Sequence, residues 1–259
     1  MNHITLTIIF TAFFAVLGAC IASFANVVAL RTSKGESYTT GRSRCPLCNG
    51  TLRWYELLPI ISWLIQQGQC RHCTEKISPR YLIVEILGAA ALGLSFLKYG
   101  FSWSFLIAFG VYVILMLIGL IDFTTMEIPD GLVVALLPFA IGAIFAQPEI
   151  TLISRGIGLL TISLPMLLLA MLIKNAFGGG DIKFMAVIGL LLGWQFTLLA
   201  FFIAVVFAGG YALSLIIRKK AKKGAVLAFG PYLCFGTMVA FIYGREILTW
   251  YLGLYGLWL

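Results

Sequence analysis

Residues 102–130 read SWSFLIAFGVYVILMLIGLIDFTTMEIPD. From 102 to 121 no residue is charged, and Asp122 then stands at the end of the run. About 20 apolar residues in α-helix span the hydrocarbon core of a bilayer. The run therefore predicts a membrane helix that ends on a carboxylate at one membrane face. An ionisable side chain there is costly and marks function by default. An anion at a helix C-terminus is also opposed by the helix dipole, so some other group must hold Asp122.

The whole chain shares this character. Of its 259 residues, 61% are hydrophobic and 11% are charged, the latter against roughly a quarter in a soluble domain. Mean hydropathy is +1.02. A soluble enzyme, a secreted disulfide mini-protein, a coiled coil and a disordered tail are excluded. A membrane β-barrel is disfavoured because its strands alternate apolar and polar residues, whereas here the apolar runs are unbroken. The expectation is an all-α polytopic membrane protein of about eight transmembrane helices, at 5–30, 81–98, 102–122, 131–147, 151–174, 182–193, 194–217 and 233–256. The turn Gly193-Trp194-Gln195 separates the sixth from the seventh. The first segment lacks a basic start and ends at Arg31, so it reads as a spanning helix and not as a cleaved signal. No internal repeat or low-complexity linker is visible.

Charge sets the orientation. Loop 31–80 carries Arg31, Lys34, Arg42, Arg44, Arg53, Arg71, Lys76 and Arg80; the run 218–223 carries Arg218, Lys219, Lys220, Lys222 and Lys223; Lys174 and Lys183 flank another turn on that side. Only Lys98, Arg155 and Arg245 remain. The positive-inside rule puts the basic side in the cytoplasm, and an even number of spans puts both termini outside. The net charge of +8 is thus a topology signal that meets anionic lipid; no nucleic-acid partner is expected. Arg245-Glu246 with Trp250, Tyr251, Tyr255 and Trp258 reads as an external aromatic belt.

Loop 31–80 is the one polar insertion. It holds Cys45-Pro46-Leu47-Cys48 and Cys70-Arg71-His72-Cys73. Each C-x-x-C turn aims two sulfurs at one point, and two such turns make a tetrahedral thiolate cage suited to zinc. Disulfides are the weaker reading in a reducing compartment. Four thiolates leave no open position, so the zinc is structural, and His72 is a lesser candidate ligand. Cys20 and Cys234 read as buried small hydrophobes. The domain reading is a first transmembrane helix at 1–30, a cytoplasmic zinc-ribbon-like loop at 31–80 and a seven-helix core at 81–259.

A second carboxylate follows Gly178-Gly179-Gly180 as Asp181, with Lys183 just beyond. The glycines strip side chains from the backbone and let another chain lie close. Asp130 after Pro129 reads as an N-cap, Glu127 as a solvated turn residue, and an N-cap role is open for Asp181 as well. Two carboxyls from different helices at one membrane face suggest an aspartyl dyad that shares a proton and titrates as a unit. The competing reading is an ion or proton path in a membrane transporter or channel.

The motifs, taken in order, resemble those of the type IV prepilin peptidases. Ser23-Phe24-Ala25-Asn26-Val27-Val28 with Arg31, the two C-x-x-C turns, Pro59-Ile60-Ile61-Ser62-Trp63-Leu64, and Arg80-Tyr81 with Val84-Glu85 are similar to that family's first half. Ile121-Asp122 with Ile128-Pro129-Asp130, Gly178-Gly179-Gly180-Asp181 with Lys183, and Phe229-Gly230-Pro231 are similar to its second. Presenilins share G-x-G-D but lack the cysteine loop.

The resemblance implies an inner-membrane aspartyl endopeptidase with Asp122 and Asp181 as the catalytic pair. It implies that prepilins or pseudopilins of type II secretion lose a basic leader after glycine at the cytoplasmic face of the bacterial inner membrane. It further implies N-methylation of the new terminus with S-adenosylmethionine, a function tied to the cysteine loop. Gly178, Gly179, Gly180, Lys183, Glu85 and Asn26 are the candidate supporting residues. For Glu85 and Asn26 a helix-packing role stands beside a role in holding the substrate. From the dipoles of their helices, Asp181 is expected as base and Asp122 as acid. Departures from the pattern are Ala22, Ala25, Ser33 and the stretch Lys174-Asn175-Ala176-Phe177. A methyltransferase without protease activity is a further rival.

Overall fold

The computed structural model describes residues 3–37, 41–45, 47–173, 176–219 and 227–254. Expectations that rested on Pro46, Lys174, Asn175, Lys220, Lys222, Lys223, Tyr255 and Trp258 lie outside the described residues. The described chain is helical: α1 (His3–Thr32), α2 (Ile61–Ile65), α3 (Pro79–Tyr99), α4 (Trp103–Thr125), α5 (Asp130–Ala135), α6 (Leu137–Ala146), α7 (Leu152–Thr161), α8 (Ser163–Leu172), α9 (Gly179–Ile217) and α10 (Gly230–Gly253). Among the described residues there are no strands, only two isolated antiparallel bridges.

Among the described residues five stretches are long and apolar enough to cross a membrane: Ile4–Thr32, Pro79–Tyr99, Trp103–Thr125, Leu152–Leu172 and Gly179–Ile217. Residues 130–146 form a shorter apolar stretch. Two predicted segments are each broken in two, at Leu136 and at Ile162. The predicted sixth and seventh segments run on as α9, with their junction at Gly193, whose φ of 74° and ψ of 169° interrupt the helix.

The chain divides into two compact units, residues 1–105 and 106–259. In the first, α1 lies on α3 through small residues. A Cβ at Gly18 would run into the Gly88 carbonyl, and one at Gly93 would come 3.1 Å from the Ala15 Cβ. Helices in lipid associate by close packing and not by excluding water, so glycine and alanine at the seam are what let the backbones touch. Above that seam, Phe14 stacks with Phe96 at 4.7 Å and meets Phe105 edge-on at 4.7 Å.

Between α1 and α3 the chain forms two like-shaped turns. Cys45 N–H donates to the Gly50 carbonyl and Asn49 N–H to the Cys45 carbonyl, at 3.0 Å each. Cys70 N–H donates to Glu75 and Thr74 N–H to Cys70, at 2.8 Å each. Asn49 and Thr74 take φ values of 55° and 57°. The two turns share one local shape, as their paired C-x-x-C spacing leads one to expect.

In the second unit Gly158 and Gly189 bring the α7 and α9 backbones together, and Gly236 sits against Ala200 where α10 meets α9. Arg155, assigned from sequence only to the far side or the membrane, is 2% exposed. Its guanidinium donates to the carbonyls of Ile150, Leu190, Leu191, Ala143 and Gln147 at 2.6–3.3 Å. Those carbonyls lie at the end of α6, in the 147–150 turn and just before the break in α9; two of them, Ala143 and Gln147, also accept the N–H groups of Gln147 and Ile150. One buried charge thus ties three segments together. Arg155→Leu is expected to cost about 3–5 kcal/mol, the usual penalty for stripping a buried charged partner from its acceptors. Thermal unfolding in detergent checks it.

Candidate functional site

Asp122 lies in the last turn of α4 and is 5% exposed. Threonine hydroxyls add donors to the carbonyls of that turn. Thr124 Oγ1 donates to the Leu120 and Ile121 carbonyls at 3.1 and 2.8 Å, and Thr125 Oγ1 donates to Ile121 at 2.9 Å. The helix closes on Met126, whose φ of 58° lets its N–H reach the Asp122 carbonyl at 2.8 Å. A left-handed residue of this kind is a common helix stop.

The group that holds the Asp122 side chain comes from 108 residues away. Gly230 N–H donates to Asp122 Oδ2 at 2.8 Å. Gly230 is the first residue of α10, where backbone N–H groups lack helical partners and the dipole favours an anion. A Cβ at position 230 would stand 2.6 Å from Asp122 Oδ2 and 2.8 Å from its Cγ. Only glycine fits there. Sequence reading quoted Gly230 within a motif but did not place it at the site. The available signal was Gly230-Pro231 opening an apolar helix, because proline at the second position leaves the preceding N–H free to point outward.

Asp181 is the third residue of α9, whose N-cap is Gly178, so the alternative that Asp181 is itself the N-cap is set aside. Its carboxylate lies back against Gly178, where a Cβ would stand 3.2 Å from Oδ2. The other oxygen, Oδ1, is buried and has no hydrogen-bond partner among the described residues. The charges of Asp122 and Asp181 interact, and both are felt at Cys234. A Cβ on Gly119 would lie 3.7 Å from the Cys234 sulfur. The fold therefore brings the two predicted aspartates to one place. Phe177 and Phe229, each next to a glycine that lies against one of these aspartates, lie 6.3 Å apart between ring centres, and Phe201 stands 6.0 Å from Phe229.

The three glycines divide their work. Among the described residues nothing lies within 4 Å of a Cβ built on Gly179, so that face is open among them. Gly180 is not open to another chain, since a Cβ there would meet the Ile128 Cβ at 2.9 Å. The 126–130 turn itself occupies that space. Lys183 locks the same turn, its Nζ lying 2.8 and 2.9 Å from the Asp130 carboxylate. Asp130 is the first helical residue of α5, with Pro129 as the cap and no side-chain capping bond. The expected N-cap is thus an ion pair across the turn. Both partners are exposed, so the pair adds little stability but orients the loop.

Asn26 and Glu85 belong to the first unit, apart in the chain from the dyad's unit. Asn26 is 1% exposed, and its Nδ2 has no partner among the described residues. Glu85 Oε2 accepts the Ile60 N–H at 2.7 Å, and Ile60 has a φ of 64°. Glu85 thus holds a strained turn of its own loop.

The sulfurs of Cys45, Cys48, Cys70 and Cys73 all lie within 4.8 Å of one another, and those of Cys45 and Cys73 are 3.9 Å apart. Zinc–sulfur bonds of about 2.3 Å in a tetrahedron need sulfurs about 3.8 Å apart, so this set fits the ion. The N–H groups of Cys48 and Leu47 draw the Cys45 thiol down to about 7. Against the N–H of Glu75, burial and the three neighbouring sulfurs push Cys73 up to about 12. His72 is not among the clustered ligands; its Nε2 faces Glu56 Oε1 at 3.9 Å.

Residues 16–99 match the bacterial peptidase A24 N-terminal domain, and residues 109–213 match the type IV leader peptidase family. The chain is 30% identical over 237 residues to a prepilin leader peptidase/N-methyltransferase of Bacillus subtilis (strain 168), covering 92% of this chain and 96% of that protein. It is 32% identical over 219 residues to the protein of the same description from Stutzerimonas stutzeri, covering 81% and 74%. It is 29% identical over 247 residues to that of Vibrio cholerae, covering 90% and 96%. No solved structure matches the chain.

Proposed function

The chain belongs to the type IV leader peptidase family, and from that premise we propose that Asp122 and Asp181 together hydrolyse the leader of a prepilin or pseudopilin. The observation that carries the reading is the pairing itself: two half-buried or buried carboxylates from different helices, each set against a glycine at a helix start. One carboxylate takes a proton from water as the water oxygen attacks the scissile carbonyl. The other, protonated, hydrogen-bonds the carbonyl oxygen. On collapse, a proton passes to the leaving nitrogen, the peptide C–N bond breaks, and the dyad again shares one proton. The C-terminal dipole of α4 alone would make Asp122 the acid. Gly230 at the N-terminus of α10 opposes that dipole, so each carboxyl rests on a helix start and the proton is assigned to the pair. The open backbone at Gly179 suits an extended substrate beside Asp181.

A transporter places its ionisable residues near mid-membrane at broken helices. Here Asp122 and Asp181 stand at helix ends, which favours the protease. The basic side, with the dyad, is read as cytoplasmic and the membrane as the bacterial inner membrane. Eight crossings and the three-part division at residues 30 and 80 remain part of this proposal. The deciding assay uses a model prepilin with a basic leader, a glycine and an apolar helix. Mass spectrometry of the product should show loss of the leader.

Zinc held by Cys45, Cys48, Cys70 and Cys73 would cross-link the two turns and supply much of the folding energy of a loop with little core of its own. One zinc per chain is expected by elemental analysis of purified protein, falling to about zero in Cys45→Ser or Cys70→Ser. Amide exchange at Asn49 and Thr74 should rise at least about tenfold in those variants, because both amides close the turns. A full zinc complement in either variant would sink the four-thiolate assignment. The relatives' second activity, N-methylation, would use S-adenosylmethionine as methyl donor. Among the described residues there is no strand and so no strand–glycine turn–helix cradle for that cofactor. Methyl transfer therefore rests on the relatives' shared description.

A further inference from the structure

The segment 54–65 carries an apolar face that nothing covers among the described residues. Trp54 is 76% exposed, Leu57 44%, Ile61 54%, Leu64 57% and Ile65 65%. The spacing of 61, 64 and 65 puts three of these side chains on one side of α2. Inward, Trp63 packs so closely on the Gly68 turn that a Cβ at 68 would stand 2.7 Å from its ring, while Glu56 is buried toward Arg53 N–H and His72. The segment therefore has two sides: Trp63 and Glu56 turn into its own loop, and the exposed apolar side chains turn out.

The position of this face along a membrane helix identifies what covers it. Ile60, the cap of α2, is tied to Glu85 at 2.7 Å. Glu85 is the seventh residue of α3, about 9 Å along the axis from the helix start. Its neighbours on that helix, Ile83, Ile86 and Leu87, are exposed and apolar, as residues facing lipid are. The outward face of α2 therefore stands level with the lipid-facing surface of α3. The rim is basic and aromatic: Arg53 donates to the Tyr55 hydroxyl at 3.1 Å, and the Arg71 guanidinium lies over the Tyr55 ring at 5.4 Å. Aromatic rings and arginines are the side chains that settle at an anionic headgroup layer.

We propose that residues 54–65 form an interfacial anchor. Trp54, Leu57, Ile61, Leu64 and Ile65 dip into the leaflet that α1 and α3 enter, and Arg53 and Arg71 meet its anionic headgroups. The anchor holds the cysteine loop flat on the membrane.

The test uses the full chain in nanodiscs of phosphatidylcholine and phosphatidylglycerol. Trp54 emission is taken as wild type minus Trp54→Phe. Phosphatidylcholine brominated in the upper acyl chain should quench that emission by about half or more, with acrylamide in the water leaving it nearly unchanged. Combined Ile61→Ser, Leu64→Ser and Ile65→Ser should reverse the two sensitivities. Acrylamide quenching without bromolipid quenching in wild type would overturn the proposal. So would shielding that appears only when a model prepilin is added, which would assign the face to substrate. The readout is independent of protease activity.

Discussion

Asp122→Asn and Asp181→Asn are each expected to lower kcat/KM for prepilin cleavage by roughly 10²–10⁴-fold, the range for losing a positioned acid–base group. Each replacement keeps the shape of the side chain and an acceptor oxygen. Gly230 N–H can still donate to residue 122. Thermal unfolding and zinc content should therefore match wild type. Because the two carboxyls act as one unit, the double variant should be little worse than either single one. Wild type, the two single variants and the double variant are compared on one substrate by product mass. Retained cleavage in either single variant would end the dyad reading.

Gly230→Ala should be nearly as damaging, although it adds one methyl group and removes no reactive atom. The new Cβ would stand 2.6 Å from Asp122 Oδ2, 2.8 Å from Cγ and 3.0 Å from Cβ. Aspartate is too short to bend its tip away and keep its place, so the carboxylate must turn off the Gly230 N–H. Misplacing a catalytic group by about 1 Å costs about 10²-fold, and the loss should fall on kcat with KM little changed. Helix propensity does not account for such a loss, since alanine is the better helix former. Gly131→Ala is the control. It is also in the first turn of a helix, but a Cβ there meets nothing within 4 Å, so activity should stay within about twofold. Equal activity in Gly230→Ala and Gly131→Ala would show that the α10 start does not position Asp122.

Local order was legible in the residues themselves. Long uncharged runs announced membrane helices because a bilayer forces backbone polar groups to bond within the segment. The glycine break in α9 was legible at Gly193 for the same local reason. Paired C-x-x-C turns announced a thiolate cluster because the turn alone sets the two sulfurs side by side. Asp122 stood out because a carboxylate at the C-terminus of an apolar helix has no local excuse, and the resemblance of the ordered motifs pointed to its partner, Asp181.

What the sequence could not supply were partners distant in the chain. Asp130 looked like a cap from its neighbours, yet the fold brings Lys183 to it from 53 residues away. Gly180 looked like an open backbone, yet Ile128 fills that space. Arg155 looked like a stray charge, yet it binds carbonyls from α6, the 147–150 turn and α9. Asp122 looked like an acid destabilised by its own helix, yet the start of α10 faces it. Periodicity, hydropathy and turn chemistry act over a few residues, so the sequence alone determined which segments are helices and which side chains are anomalous. Hydrogen bonds and steric exclusion act between whichever atoms the packed helices bring within about 3 Å. Only the tertiary structure could therefore decide what answers each anomaly.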